Sequence, residues 1–187
     1  MLIHLCVAAL ICAVFMTQWV PYSRAQVGAR MQNSLFNVVN EDMTSNDYYT
    51  PKWLFDSMGL TFDIDVAAPA QGIPWIPAKR WFSQAEDGRA QEWGGGLVWM
   101  NPPFSDARVW AEKFTTNGNG IALLVVSRSK WFAELWDKAD AIMATPADLK
   151  FDRPDGTTKA ISFQTFLFAL GQPATAALHR TKLARVR

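Results

Sequence analysis

Cysteine and histidine are almost missing from this chain. Its 187 residues include two cysteines, Cys6 and Cys12, within an apolar N-terminal stretch, and two histidines, His4 and His179, near opposite ends. Zinc sites and Cys–His or Ser–His–Asp catalytic sets need such side chains close together. We therefore expect no metal site and no thiolate nucleophile in the body of the chain. Its chemistry must depend on Asn, Asp, aromatic rings and backbone groups.

The chain also lacks an excess of charge of either sign. Eighteen Lys and Arg against seventeen Asp and Glu give a formal net charge of +1. A strongly basic protein attracts nucleic acid over its whole surface, so any phosphate contact here is expected from local basic groups. Half of the residues are hydrophobic, including nine Trp and twelve Phe, and the length is that of one ordinary domain.

One long apolar run occupies residues 2–20 and has the length of about one membrane crossing, ~20 residues. Three interpretations stay open: a membrane anchor or signal, a buried N-terminal helix, or translation begun upstream of the true start, with Met31 and Met43 as candidate starts. Residues 24–46 are polar and typical of a linker. We predict three segments: a leader and linker over residues 1–46, a folded domain over 47–172 and a basic tail over 173–187.

The folded domain has alternating signals for helices and strands. Thr50 is the predicted cap of a first helix, Pro51 its first helical residue and Gly59 its end. Apolar runs predict strands within 61–69, 97–100, 121–126 and 141–145, and a helix follows Asp106 as its predicted cap. The turn 154–156 predicts an antiparallel hairpin between 149–153 and 161–170. The predicted inward face of the first helix comprises Trp53, Leu54 and Met58.

This alternation predicts an α/β fold with a mixed sheet, helices on both faces and a C-terminal hairpin. The central segment of that fold is the run Leu97 to Met100, which is followed by two prolines that end the strand in a stiff loop. In that loop Asn101 has a side-chain carbonyl, Pro102 has a backbone carbonyl with no competing N–H, and Phe104 has a flat apolar face. Such groups suit an amino group on a planar ring.

An amino group on an aromatic base is a weak nucleophile because its lone pair is delocalised into the ring. Two acceptors that bind its hydrogens favour a pyramidal nitrogen and free the lone pair, while a stacked ring aligns the base with a methyl donor. The loop therefore indicates methylation of such an amine. The alternative, a strand ended by prolines and followed by a core Phe, stays open at this point.

Charged side chains follow or lie within the neighbouring strands. Asp65 precedes a turn of small residues, and open α/β sheets bind ribose-bearing ligands where such strands end. The glycine-rich turn of dinucleotide-binding folds is absent. Asp87 lies in a loop that converges on the same edge, with a solvated turn as its alternative. Arg128 and Lys130, after the strand 121–126, are phosphate contacts or only surface charges.

Five motifs in this order resemble phage-type DNA N6-adenine methyltransferases over roughly residues 47–171. They are Tyr49-Thr50-Pro51, Asp65-Val66-Ala67-Ala68-Pro69, Asp87-Gly88, Asn101-Pro102-Pro103-Phe104 and Leu149-Lys150-Phe151-Asp152-Arg153-Pro154-Asp155-Gly156. The resemblance implies a Rossmann-like, S-adenosylmethionine-dependent methyltransferase fold over residues 47–172. It implies transfer of a methyl group to the N6 amine of adenine in DNA.

The resemblance also implies a donor site. It comprises Tyr49, Thr50, Pro51, Asp65, Ala67, Asp87 and Gly88. The first three border the methionine end of S-adenosylmethionine, Asp65 with its small-residue turn forms the pocket, and Asp87 meets the adenine end. No acid near Lys79-Arg80 is available for the donor ribose, so its ligand stays unassigned.

The implied target site lies beside the donor site. Its catalytic residues are Asn101, Pro102, Pro103 and Phe104, and Phe104 stands where many relatives have Tyr. Asn101 and Pro102 accept the amine hydrogens, and Phe104 stacks on the adenine after it is flipped out of the duplex. The remaining substrate contacts are Phe151, which packs on the far side of the adenine, and Arg128 and Lys130.

The expected partner is double-stranded DNA, and the expected enzyme is a cytoplasmic monomer that needs no metal. If the protein is phage-encoded, the compartment is the host cytoplasm. Membrane attachment of the catalytic body is not expected, although the apolar leader leaves attachment at the N-terminus open. Two alternatives remain: methylation of RNA or of a protein glutamine, and a non-catalytic, membrane-tethered, Trp-rich binding module.

Overall fold

A computed structural model of the chain describes residues 48–187. The predicted leader and linker, both candidate start residues and the two cysteines lie outside the described residues. Within 48–187, every helix is too short or too polar to cross a membrane.

Eight strands and four α-helices form the described part of the chain. The strands are β1 (Ile64–Ala68), β2 (Trp81–Ser83), β3 (Val98–Met100), β4 (Gly120–Val125), β5 (Ala141–Ala144), β6 (Lys150–Asp152), β7 (Thr158–Ala160) and β8 (Thr165–Leu170). The helices are α1 (Lys52–Met58), α2 (Ala107–Asn117), α3 (Lys130–Lys138) and α4 (Gln172–Thr181). A short 3-10 helix, Phe104–Asp106, precedes α2.

Six of the strands form one mixed sheet in the order β2-β1-β3-β4-β8-β5. The pairs β1–β2, β1–β3 and β3–β4 are parallel, whereas β8 is antiparallel to both β4 and β5. The strand β8 therefore runs against five strands that share one direction. Those five strands end at the same edge of the sheet, which places the loops after them side by side.

The core occupies both faces of the sheet. On one face, Trp110 and Phe114 of α2 and Phe132 of α3 pack on alternate strand residues such as Val98 and Met100. On the other face, α1 packs on β3, where the rings of Phe55 and Trp99 are 4.7 Å apart. The predicted mixed α/β sheet with helices on both faces is confirmed.

The predicted side-chain caps of two helices are wrong. The helix α1 begins at Lys52 after Pro51, and no side chain caps it. Thr50 is completely buried instead. The predicted cap Asp106 makes no capping bond to α2, because its carboxylate accepts a hydrogen bond from the Arg89 guanidinium at 3.0 Å. The end of α1 at Gly59 is confirmed by a left-handed φ of 56°.

The inward face predicted for α1 is correct for two residues of three. Leu54 and Met58 are fully buried, but Trp53 is 42% exposed and Phe55 is buried in its place. The strand β2 lies in a region without a strand prediction. Its short Trp81–Ser83 segment is held by parallel pairing with β1 rather than by a pattern of its own.

The predicted hairpin is correct in its first strand and wrong in its second. The strand β6 pairs with Thr158–Ala160, because Asp155 accepts hydrogen bonds from the backbone and hydroxyl of Thr157 and closes a tight turn. Residues 165–170 enter the main sheet as β8, where four of the six are buried apolar residues. The hairpin β6–β7 is therefore a separate two-stranded sheet.

The segment predicted as a basic tail packs on the fold. The helix α4 buries Ala174, Ala177 and Leu178. Arg180 donates to the Met58 carbonyl at 3.0 Å, and Arg187 exchanges backbone hydrogen bonds with Ile142. The predicted boundary at residue 172 thus falls at the start of α4.

Candidate active site at the carboxyl edge of the sheet

Asn101 is the first residue after β3, at the edge where the parallel strands end. Its amide nitrogen donates to the backbone carbonyl of Tyr48 at 3.0 Å and to the hydroxyl of Thr50 at 3.3 Å. A backbone carbonyl can only accept a hydrogen bond, so this contact fixes which side of the amide is nitrogen. The opposite atom, Asn101 Oδ1, has no donor among residues 48–187. An acceptor is therefore left available at the edge of the sheet.

The segment that holds Asn101 is itself anchored to the hairpin. Tyr49 and Asp152 exchange two backbone hydrogen bonds, each 2.9 Å long. The ring of Tyr48 meets the ring of Phe151 edge-on at 5.8 Å. Both Tyr48 and Tyr49 are buried. The segment that accepts hydrogen bonds from the Asn101 amide is thus held in place by the strand β6, which lies more than 90 residues later in the sequence.

The prolines after Asn101 give the loop its shape. Pro102 is buried, and Pro103 leads directly into the 3-10 helix that begins at Phe104. The ring of Phe104 is partly exposed and forms no ring pair with another residue of the described chain. Phe104 therefore keeps an apolar face beside Asn101 that a planar ligand can cover.

Asp65 lies inside β1, three residues before the strand ends at Ala68, and is only 4% exposed. One carboxylate oxygen accepts the backbone N–H of Ala67 at 3.1 Å. Burial raises the pKa of Asp65 to about 7, and this single hydrogen bond opposes the rise. No cation among the described residues pairs with it. A positively charged ligand would relieve the cost of burying this carboxylate.

A small pocket of about 160 Å³ opens beside Asp65. Gly72 forms part of its wall with a left-handed φ of 66°, and a Cβ there would lie 2.9 Å from the Trp81 ring. Trp81 is 45% exposed and lines the same pocket. The remaining lining residues are Gln71, Ile73, Pro74, Ile76 and Ala78.

Trp81, Gln71 and Gly72 line the pocket beside Asp65 and were not predicted from the sequence. In the sequence, Gly72 lies in the loop between β1 and β2, and Trp81 begins β2. A single glycine and a single aromatic residue are too weak a pattern to assign a role. The loop also joins the two halves of the site, because the Trp75 indole N–H donates to the Thr50 carbonyl at 2.9 Å.

Asp87 and Gly88 lie on the opposite face of β1 from this pocket's loop. Gly88 presses against the strand so closely that a Cβ would lie 2.0 Å from the Val66 carbonyl oxygen. Asp87 pairs with Arg89 at 2.8 Å, and Arg89 also reaches Asp106 at 3.0 Å. The Arg89 guanidinium holds the pKa of Asp87 below its usual value. Arg89, which the sequence analysis did not single out, thus links this turn to the segment after Phe104.

Of the other predicted site residues, two are buried and two are exposed. Thr50 is 0% exposed, so in this structure it contacts Asn101 rather than the surface of a donor pocket. Phe151 is also fully buried, and its ring supports Tyr48 from behind. Arg128 is exposed after β4. Lys130 begins α3 and forms an exposed ion pair with Glu134 at 3.3 Å.

Within 48–187, no group of three or more His, Cys, Asp or Glu side chains is arranged to hold a metal ion.

A comparison with protein-family models identifies the class of the chain. The model of the family described as DNA N-6-adenine-methyltransferase (Dam) matches residues 39–163 of the 187. The chain therefore belongs to the Dam family. This membership confirms the resemblance derived from the motifs, and it makes the chain an enzyme that methylates the N6 amine of adenine in DNA.

Neither the curated proteins nor the solved structures include a significant match to this chain. The roles of individual residues therefore rest on the geometry of this structure.

Proposed function

We propose that the enzyme takes its methyl group from S-adenosylmethionine and that Asn101 Oδ1 accepts a hydrogen bond from the N6 amine of adenine in double-stranded DNA. The single observation that carries this proposal is the orientation of the Asn101 amide, whose nitrogen is held by Tyr48 and Thr50. A free acceptor on a fixed amide is the group that the target amine requires. The Pro102 carbonyl, one residue on, supplies the second acceptor.

These two acceptors act on the nucleophile rather than on the donor. When both hydrogens of the amine are held, the nitrogen lone pair is less delocalised into the ring and points toward the electrophile. The ring of Phe104 stacks on the extruded adenine and helps to offset the unstacking cost of a few kcal/mol. S-adenosylmethionine, when bound, supplies an electrophilic methyl group on a sulfonium.

The residues beside β1 fit such a donor. Its sulfonium and ammonium groups are cationic, and Asp65 is a buried carboxylate without a cationic partner. The pocket is smaller than the ~300–1,000 Å³ of typical ligand sites, so it receives only one end of the donor. The small residues Ala67 and Ala68, which end β1, give the donor close access to the backbone, and Asp87 with Gly88 borders its adenine end.

The topology supports the same proposal. Five strands share one direction, and the single reversed strand, β8, lies between β4 and β5. This arrangement supports the proposal of a Rossmann-like methyltransferase sheet. Ligands of open α/β sheets bind at the carboxyl ends of the strands, and Asn101 follows β3 at that edge. We propose the donor and the target base on this edge, with Tyr49 and Pro51 at the methionine end of the donor.

The DNA backbone is proposed to meet Arg128 and Lys130. Both side chains are exposed after β4, which neighbours β3 in the sheet. In this proposal Phe151 supports the ring of Tyr48 and does not contact the adenine. The enzyme is proposed to work as a cytoplasmic monomer. Methylation of RNA or of a protein glutamine has no observation in its favour.

Labelled methyl transfer tests the proposal. The full chain is incubated with methyl-labelled S-adenosylmethionine and, separately, with unmethylated duplex DNA, RNA and a protein mixture. Digestion of the DNA to nucleosides is expected to show the label in N6-methyladenine only. Label confined to RNA or protein would overturn the proposed substrate, and unlabelled DNA with unchanged donor would overturn the proposed cofactor.

A further inference from the structure

We infer that Thr50 is a positioning residue, whose hydroxyl fixes the Asn101 amide in the orientation that exposes Oδ1. The inference rests on the proposed role of Asn101 and deepens it. It also replaces the donor contact expected for Thr50 from the sequence. Thr50 acts on the target amine through Asn101 and touches neither substrate.

The first observation is the burial of Thr50. The residue is 0% exposed. A side chain without accessible surface cannot contact a donor or a DNA base in this arrangement. Its hydroxyl instead lies 3.3 Å from the Asn101 amide nitrogen. A buried hydroxyl at this place is explained by the amide that it meets.

The second observation is the pairing of both amide hydrogens. An amide nitrogen carries two hydrogens, and the Tyr48 carbonyl and the Thr50 hydroxyl accept one each. If the amide rotated by half a turn, Asn101 Oδ1 would face the Tyr48 carbonyl oxygen, and two acceptors would repel each other. With both partners present, the amide has one stable orientation. Loss of the Thr50 hydroxyl leaves a single contact to hold it.

The third observation is that Thr50 cannot move away from the amide. Its backbone carbonyl accepts the Trp75 indole N–H at 2.9 Å. The preceding residue, Tyr49, is tied to Asp152 by two backbone hydrogen bonds. A backbone that is held at Tyr49 and at Thr50 limits where the Thr50 hydroxyl can lie, and so limits the position of the amide that it contacts. The amide is therefore organised before the target base arrives, which favours fast methyl transfer.

The test compares three variants of the full chain. Thr50→Val keeps the shape and removes the hydroxyl, Thr50→Ser keeps the hydroxyl and removes the methyl group, and Thr115→Val is the matched control. The Thr115 hydroxyl donates to the Ala111 carbonyl at 2.8 Å within α2, away from the edge. Steady-state rates are measured with duplex DNA, and donor affinity is measured by calorimetry.

We expect Thr50→Val to lower kcat about three- to tenfold, the effect of one lost neutral hydrogen bond. The donor dissociation constant and the KM for DNA should stay within about twofold, because no substrate contact is lost. Thr50→Ser should recover most of the rate, and Thr115→Val should keep kcat within about twofold.

A readout without activity separates this inference from the proposed function. In ¹⁵N-labelled protein, the side-chain amide signals of Asn101, assigned by their loss in Asn101→Asp, should shift and exchange faster in Thr50→Val than in Thr50→Ser. If the wild-type enzyme does not methylate adenine but the Asn101 amide signals change as expected, the proposed function is wrong and the positioning role of Thr50 is retained. If Thr50→Val folds poorly, Thr50→Ala is measured in the same way.

Two results would overturn the positioning role. One is a donor affinity that falls tenfold in Thr50→Val while kcat is unchanged, which would return Thr50 to the donor site. The other is a Thr50→Ser variant as slow as Thr50→Val with unaltered Asn101 amide signals, which would show that only the methyl group matters.

Discussion

Asp65 lies within β1 and Asp87 lies in a turn that packs against β1, yet the surroundings of the two aspartates differ. Asp65 is buried without a cationic partner, and burial raises its pKa to about 7. Asp87 is partly exposed and paired with Arg89, which lowers its pKa. Two identical side chains are thus driven in opposite directions by burial and by a neighbouring charge. Asp65 is available to a cationic ligand, whereas the charge of Asp87 is already balanced.

A second contrast separates the two halves of the site. The proposed donor half, around β1 and β2, contains the buried carboxyl of Asp65. The proposed target half, around Asn101, is held by hydrogen bonds that the Asn101 amide donates to two neutral groups, the Tyr48 carbonyl and the Thr50 hydroxyl. Substitutions in the first half should therefore change donor affinity and its pH dependence. Substitutions in the second half should change the rate of transfer alone.

The largest effect is expected from Asn101→Ala. Loss of an acceptor that acts on the reacting amine should lower kcat by about 100- to 1,000-fold, the range observed for single groups that stabilise a transition state. Donor affinity, measured by calorimetry, should stay within about threefold. If both fall together, Asn101 belongs to the donor half and the contrast between the halves fails.

The next largest effect is expected from Asp65→Asn, which removes the charge and keeps the shape. Donor affinity at pH 8 should fall by about 10- to 100-fold, because hydrogen bonds to charged groups contribute about 1.5–3 kcal/mol. Wild-type affinity should rise from pH 6 to pH 8 as Asp65 ionises, whereas that of the variant should not change with pH. Asp63→Asn, an exposed acid paired with Lys79 at 2.8 Å, is the matched control.

The same substitution should increase stability. The folded state holds the Asp65 proton more tightly than the unfolded state, so this group makes the free energy of unfolding decrease as pH rises from about 4 to about 7. At about 1.4 kcal/mol per pKa unit, the full penalty has an upper limit of roughly 4 kcal/mol. Asp65→Asn should therefore exceed the wild type in stability at pH 8 and approach it near pH 4.

Urea denaturation at these two pH values measures the difference. A variant that gains the same stability at both values would show that Asp65 is not a buried, titrating acid.

The smallest effect is expected from Arg89→Gln. Its ion pairs with Asp87 and Asp106 are partly exposed, and such pairs contribute little. Donor affinity should change by less than about threefold, and the melting temperature should hardly move. A tenfold loss of affinity would mean that the turn at Asp87 depends on Arg89, and that the two acids differ less than their pKa values imply.

Much of the fold follows from local sequence signals. The buried strands β3 and β4 are continuous apolar runs, and the end of α1 is set by Gly59, because these preferences depend on residues within a few positions. Asn101 and the two prolines after it mark the proposed active loop for the same reason. Such signals need no knowledge of distant contacts.

The errors arise where a distant residue takes over a side chain. Thr50 has the local features of a helix cap, but Asn101, 51 residues later, binds its hydroxyl. Asp106 precedes α2, but its carboxylate accepts a hydrogen bond from Arg89, 17 residues earlier, instead of capping the helix. Trp53 was predicted to be buried but is exposed, and the second strand of the hairpin was predicted over the wrong residues. Both depend on which residues pack against them in the fold. Sequence periodicity alone does not contain that information.

We propose that one edge of the sheet holds the donor beside Asp65 and presents Asn101 Oδ1 to the target amine that attacks the methyl group. A crystal structure of the enzyme with S-adenosylhomocysteine, the demethylated product of the donor, tests it most directly. We expect the amino-acid end of this product to lie near Asp65 and its sulfur to face Asn101, with the amide still bound to Tyr48 and Thr50. A product bound away from β1, or an Asn101 oxygen turned toward Tyr48, would contradict it.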